Sequence, residues 1–321
     1  MTALFSTACK RLPSWYARHK RDLPWRRTRD PYPVWISEIM LQQTQVKTVL
    51  PRYHAWLDRF PDIATLATAD LDAVLHAWQG LGYYRRARLL HAAAKRIMDW
   101  HCGQFPNAFN DILALPGIGR STAGAIASFC FGARHAVLDG NVKRVLRRWL
   151  DRPAARESAL WDCAERLIRQ CRDPAEWNQA MMELGATVCR RIPHCAHCPL
   201  SEHCASAFRA TPPTSAEGKP RIQRLHWRVH LHLHPEHGLW LERRPRDGIW
   251  GNLWCPPISV LEQPPKQPPC HIHRLTHREL YLYAAMEPDE PRGKGQWSRK
   301  LSHAALPTGI ARLLQCHGLT A

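Results

Sequence analysis

Two acidic residues in this 321-residue chain, Glu38 and Asp139, stand where a carboxyl could do chemistry. Glu38 lies in Trp35-Ile36-Ser37-Glu38-Ile39-Met40-Leu41, and its helical neighbours at i−4, i−3 and i+3 are Val34, Trp35 and Leu41. A carboxyl flanked by apolar side chains is poorly solvated, so its pKa rises and it can give up a proton near neutral pH. Asp139 follows the apolar pair Val137-Leu138 and precedes Gly140-Asn141 at the start of another helix. There the helix dipole favours the ionised form. The two environments predict pKa values pushed apart, one group a proton donor and the other a standing negative charge. Cleavage of a glycosidic bond uses that division of labour.

The residues around this pair are suited to holding a polyanion. Leu115-Pro116-Gly117-Ile118-Gly119-Arg120-Ser121-Thr122 places two glycines in a tight turn, with Ser121 as the expected cap of the helix that follows. Backbone N–H groups of Gly117 and Gly119 at such a helix start can hold a phosphate without reading a base. The helix from 140 carries Val142, Val145, Leu146 and Trp149 on one face and Lys143, Arg144, Arg147 and Arg148 on the other. Earlier in the chain, Gly80-Leu81-Gly82-Tyr83-Tyr84 is followed by Arg85, Arg86 and Arg88, an aromatic pair fit to wedge between bases with cations for phosphates. A formal net charge of +18 agrees with a nucleic-acid partner. Four cysteines, Cys189-x5-Cys195-x2-Cys198-x5-Cys204, have the density of a thiolate-held iron–sulfur cluster or a zinc site, and spacing alone leaves both open.

The elements that must position these residues are mostly helical. Helical periodicity covers an initial segment, then 34–46, 49–60, 71–78, 87–100, 159–171 and 177–188, with an extended connection expected around Pro31 and Pro33. No strand alternation precedes residue 220. From 209 to 221 the composition shifts to Thr, Pro, Ser and Gly, the mark of a linker. Leu225, Trp227, Val229, Leu231 and Leu233 then alternate with polar residues as a half-buried strand does, and 238–257 and 281–286 supply further strands. The expected organisation is a helical catalytic domain over 1–208 and a small α+β domain over 222–321. Nothing resembles a signal peptide or an 18-residue apolar span, so a cytoplasmic, nucleoid-associated monomer without a membrane partner is expected.

Several segments resemble the adenine DNA glycosylases of MutY type, within the helix-hairpin-helix (endonuclease III) superfamily. They are Leu23-Pro24-Trp25-Arg26, Ser37-Glu38-Ile39-Met40-Leu41-Gln42-Gln43-Thr44-Gln45, Gly80-Leu81-Gly82-Tyr83-Tyr84, Leu138-Asp139-Gly140-Asn141-Val142-Lys143-Arg144 and Asn178-Gln179-Ala180-Met181-Met182-Glu183-Leu184-Gly185. The resemblance implies excision of adenine mispaired with 8-oxoguanine or guanine in double-stranded DNA. It implies that Glu38 protonates adenine N7 and later activates water, that Asp139 stabilises the sugar cation, and that Asn141 holds Asp139 or the sugar. Trp25, Arg26 and Glu183 would line the adenine pocket, Gln43 and Tyr83 would enter the base stack, and Lys143 would meet the DNA backbone. The four cysteines would hold a [4Fe–4S] cluster, although the first loop is one residue shorter than the family's usual spacing. Ser121 stands where pyrimidine-specific endonuclease III-type lyases carry lysine, which implies an essentially monofunctional enzyme. The C-terminal region, through Leu241-Glu242-Arg243-Arg244-Pro245 and Gly248-Ile249-Trp250-Gly251-Asn252-Leu253-Trp254, resembles the MutT-like (Nudix-like) domain that recognises 8-oxoguanine, without the Nudix glutamates. Leu275-Thr276-His277 replaces the family's Phe-Ser-His loop, with Thr276 and His277 as candidate lesion contacts. The rivals are an endonuclease III-type pyrimidine glycosylase/lyase and a non-catalytic helix-hairpin-helix DNA-binding protein.

Overall fold

The computed structural model describes residues 2–209 and 222–319, so the linker expected at 209–221 lies, from residue 210 on, outside the described residues. Among the described residues, eleven α-helices precede the linker region: α1 (Thr2–His19), α2 (Pro31–Met40), α3 (Val46–Arg59), α4 (Ile63–Thr68), α5 (Leu71–Ala77), α6 (Arg85–His101), α7 (Phe109–Ala114), α8 (Arg120–Phe131), α9 (Gly140–Trp149), α10 (Glu157–Gln170) and α11 (Pro174–Thr187). Short 3-10 turns follow at Cys195–His197 and Ser201–His203. Beyond the linker come β1 (Gln223–His234), β2 (Gly238–Arg243), β3 (Trp254–Cys255), β4 (Ile258–Leu261), β5 (His271–Arg274), β6 (Arg278–Glu287), β7 (Gly295–Ser298) and α12 (Thr308–Cys316).

The connection expected to be extended around the prolines is instead the first turn of α2. Asp30 accepts the Tyr32 N–H at 3.0 Å and Pro31 takes the first helical position. Proline is at home there because that N–H has no partner inside a helix. The helix stops at Met40 rather than running on to Val46, since Gln43 adopts a left-handed φ of 55°.

The chain divides into two compact units, and their membership is not that of two consecutive segments. The first gathers Met1–Val49, Phe60–Ala64 and Ala92–Ala216; the second joins Leu50–Arg59 and Thr65–His91 to Glu217–Ala321. Within the first, Phe5, Leu12, Trp15, Leu146, Trp149, Leu160, Ile168 and Leu184 form one buried cluster shared by α1, α9, α10 and α11. Trp35 and Ile36 of α2 are fully buried, and Trp35 meets the Phe105 ring edge-on at 5.4 Å. In the second, Trp56 and Trp78 pack perpendicular at 5.4 Å. Its seven strands run in the order β3-β2-β1-β6-β5, with β4 also on β1 and β7 on β2. The central pair β1–β6 is parallel, from Gln223 opposite Arg278 to His232 opposite Glu287. The predicted alternation holds in the middle of β1, where Trp227, Val229 and Leu231 are buried, but Leu225 is only partly buried and Leu233 at the end of the strand is exposed.

Candidate active site

Glu38 is delivered by α2, whose Val34, Trp35, Ile36, Ile39 and Met40 anchor it in the core. The Glu38 side chain is half-buried, and among the described residues no hydrogen bond reaches its carboxyl. Burial is the main reason its pKa is pushed up to about 7, the Asp139 charge adds to it, and Arg26 opposes both. Burial raises the pKa of this group as its apolar helical neighbours predict, and the Asp139 charge acts on it in the same direction.

Asp139 reaches that site at the end of an extended run pinned from both sides. Asn178 donates to His135 O and Ser128 Oγ, both at 2.9 Å, and accepts the Val137 N–H at 3.2 Å. Ser121 does not cap α8, whose N-cap is Gly119; its hydroxyl accepts the Leu138 N–H at 3.1 Å. Ser121 thus holds the residue before the carboxylate, because α8 passes so close to this run. A Cβ on Gly124 would lie 2.3 Å from Ala136 O. Of the two hairpin glycines, only Gly117 needs the left-handed region (φ 81°); Gly119 is extended. Asp139 caps α9 by accepting the Val142 N–H at 2.7 Å and receives Asn141 Nδ2 at 3.2 Å. Arg144 ties Asn141 Oδ1 to Gly185 O at 2.8 and 2.7 Å. The expectation that the helix start would hold the Asp139 pKa down is corrected. Burial outweighs the hydrogen bonds from Val142 and Asn141, and its pKa too is raised.

Arg26 leads to a second carboxylate. Glu183 on α11 is fully buried, and its oxygens receive Arg21 Nε and Nη2 at 2.8 Å each and Arg26 Nη2 at 2.7 Å. The two guanidinia outweigh burial and hold its pKa down at about 2. Arg26 also lies over the Tyr16 ring, 5.4 Å from its centroid, and Trp25 beside it is buried. Arg21 belongs to this cluster but escaped the sequence reading, because it sat in a basic run with no sign of which arginine turned inward. Cys130 on α8 was missed as well. Its thiol is pushed up to about 12 by burial and then by the charges of Asp30 and Glu38.

The basic face expected on α9 divides in two. Arg148 is buried and donates to Arg190 O, to Arg191 O at 2.9 Å and to Cys189 Sγ at 3.5 Å. Arg144 donates to Cys189 O at 2.8 Å. These arginines brace the cysteine loop, and Lys143 pairs with Glu157 at 2.7 Å. Exposure to solvent falls instead on Arg190, Arg191 and Ile192 of that loop.

Gln43 and Tyr83 are both exposed and both left-handed, with φ of 55° and 46°. Such backbone is uncommon in residues other than glycine. Of the aromatic pair, Tyr84 is buried and Tyr83 projects. Within the second unit the Tyr83 hydroxyl bonds the Thr276 hydroxyl in the β5–β6 turn. His277 is exposed beside it.

A helical hairpin followed by a capped aspartate and a second, half-buried glutamate defines a helix-hairpin-helix base-excision protein. Residues 36–163 match the family described as HhH-GPD superfamily base excision DNA repair protein. The adenine DNA glycosylase of Buchnera aphidicola from Baizongia pistaciae is 41% identical, covering 77% of this chain and 72% of its own length. The human adenine DNA glycosylase is 45% identical, covering 62% of this chain and 39% of its own. A solved thermostable thymine-DNA glycosylase aligns at TM-score 0.61 and 26% identity, over 65% of this chain and 99% of that one. The chain belongs to the adenine DNA glycosylase family: it is a hydrolase of N-glycosyl bonds that removes adenine in base excision repair. Among the described residues no helix is long and apolar enough to cross a membrane.

Proposed function

We propose that this enzyme excises adenine opposite 8-oxoguanine or guanine from duplex DNA and leaves the abasic strand intact. The observation that carries the reading is the half-buried Glu38, with a pKa near 7, beside the capped Asp139. An adenine extruded from the stack meets a protonated Glu38, which donates to N7 and weakens the glycosidic bond. Positive charge then grows on the sugar, where Asp139, oriented by Asn141, offsets it. Glu38, now ionised, takes a proton from the attacking water. Trp25, Arg26 and Glu183 wall the adenine site. Because Glu183 is saturated by two guanidinia, it fixes Arg26 rather than presenting a free oxygen. No amine stands at position 121 to form a Schiff base with the opened sugar.

Cys189, Cys195, Cys198 and Cys204 are the ligands for a [4Fe–4S] cluster. Burial pushes the Cys198 thiol up to about 12, and the sulfurs of Cys189, Cys204 and Cys195 add to the shift. An all-sulfur donor set of this kind suits iron–sulfur ligation. Among the described residues no three His, Cys, Asp or Glu side chains close around a single ion. A four-iron cube takes one thiolate at each corner and asks for a wider set. When bound, the cluster supplies a rigid support for the loop that exposes Arg190 and Arg191 toward phosphates. The sheet domain is read as MutT-like, with Tyr83, Thr276 and His277 meeting the 8-oxoguanine strand, and the enzyme as a nucleoid-associated monomer.

The test is release of free adenine from duplexes carrying adenine opposite 8-oxoguanine, guanine and thymine. Strand breakage is scored before and after alkali, and iron is assayed in the same preparation. Excision opposite 8-oxoguanine fastest, breakage only after alkali, and about four iron atoms per chain are expected. Equal rates against all three bases, efficient borohydride trapping, or zinc without iron would overturn the corresponding part.

A further inference from the structure

Cys9 on α1 and Cys171 just after α10 bring their sulfurs to 2.9 Å, although 162 residues separate them. Neither belongs to the catalytic cluster or to the four-cysteine loop. Both flanks of the contact are fixed. Cys171 is buried, its Sγ reaches Leu167 O at 3.1 Å, and its own carbonyl receives Arg134 at 2.6 Å. Cys9 follows Ala8 and precedes Leu12 on the buried face of α1, and its thiol is half-buried. A bonded pair of sulfurs sits at about 2.05 Å, so closing the bond takes a shift of less than about 1 Å. We infer that Cys9 and Cys171 are a reversible redox site, which a hydroperoxide converts to a disulfide tying α1 to the α10–α11 junction.

The electron count closes with that oxidant alone. The Cys9 thiolate attacks the peroxide oxygen, the O–O bond breaks, and a sulfenic acid and hydroxide form. The Cys171 thiol then displaces the sulfenic oxygen, forming the S–S bond and, with proton transfer, water. Two thiols lose two electrons, and one hydrogen peroxide becomes two waters. Cys9 is suited to the first step because it is the more accessible sulfur, and its contact with Cys171 holds its thiol below the usual range. In a reducing compartment the pair rests as two thiols. An oxidising episode closes a long loop and stiffens the helix that leads into Arg21 and Arg26. Glu38 and Asp139 are left untouched.

The experiment uses the full-length protein as isolated, treated with limiting hydrogen peroxide, blocked with a thiol alkylator and digested for peptide mass spectrometry. The expected product is one linked peptide pair joining Cys9 to Cys171, two hydrogens lighter than the free pair and abolished by dithiothreitol. Thermal melts are run on the oxidised sample with and without dithiothreitol, beside Cys9→Ala and Cys171→Ala treated identically. The wild type should melt about 4–10 °C higher when oxidised, and neither variant should show the gain. The variants share any damage to the other cysteines, so the difference isolates this bond. Oxidation confined to the exposed Cys102 and Cys316, a Cys9 sulfinic acid with Cys171 free, or an equal melting shift in the variants would each overturn the inference.

Discussion

A single buried proton decides the behaviour of Glu38. To act as an acid it must be protonated, so the excision rate should fall as pH rises through about 7. Single-turnover kinetics across pH 5–9 check this. Glu38→Gln should cut excision about 10²–10⁴-fold while leaving duplex affinity essentially unchanged; near-wild-type turnover would remove Glu38 from the mechanism. The same group carries a stability signature. Its folded pKa lies above the unfolded one, so the fold is favoured at low pH and that advantage is lost as pH rises toward 7. Glu38→Gln should therefore melt higher than wild type at pH 8, by up to about 3 kcal/mol, with the gap closing below pH 4.5. Glu183 has the opposite sign. Its lowered pKa contributes stability above the ordinary carboxylate range, which is lost as pH falls toward about 2. Glu183→Gln leaves two guanidinia facing a neutral amide, and a loss of about 2–3 kcal/mol in denaturant melts is expected.

At the scale of elements, the site depends on backbones that approach closely. Gly185 on α11 faces the start of α9, and a Cβ there would stand 2.6 Å from Asn141 Cβ and 3.0 Å from its carbonyl. Gly185→Ala must push α9 away and move Asp139 with it. Excision should fall tenfold or more, with a stability loss of about 1–3 kcal/mol. Unchanged excision at reduced stability would show that Asp139 tolerates the shift. Helix α9 works through both ends, since its start holds Asp139 and its arginines hold the cysteine loop. Arg148→Ala leaves the Arg190 and Arg191 carbonyls without their donor. Lower iron content after purification is the expected result, measured by iron assay and visible absorbance.

Over the whole molecule, the +18 charge sets how the enzyme meets DNA. Non-specific duplex affinity should fall linearly in log–log form as salt rises, because each neutralised phosphate releases counterions. On the function proposed above, the opposite base is read by the second unit, where Tyr83 and Thr276 are bonded. Tyr83→Phe and Thr276→Ala should each reduce the preference for 8-oxoguanine over guanine. The double variant should lose little more than either one, as residues sharing a hydrogen bond are not additive. Full additivity would mean that the two act separately. Deleting 222–321 is a poorer probe. It strips Asp72 of Arg243 and Trp254, Gln79 of Leu306 O and Arg88 of Gly251 O. The truncated chain should show a lower Tm and reduced helical circular dichroism.

The sequence by itself determined the helical class, the confinement of the strands to the region after residue 222, and the apolar helical setting of Glu38. These are local matters, since periodicity of 3.6 or 2 and the apolar neighbours of Glu38 along one helix are written in consecutive residues. The cysteine spacing and the hairpin glycines were legible for the same reason. What only the tertiary structure decided involves residues distant along the chain. Ser121 looked like a cap and instead holds Leu138, because α8 passes close beside the run leading to Asp139. Arg144 and Arg148 looked like phosphate contacts on a solvated face, yet the cysteine loop folds back over them and offers carbonyls. Asp139 was expected to be favoured as an anion by its helix, but its burial outweighs that local term. Helices α5 and the first turns of α6 join the sheet rather than their sequence neighbours, through single contacts such as Asp72 with Arg243. Desolvation and partner choice depend on what surrounds a side chain in three dimensions, and no window of consecutive residues contains that information.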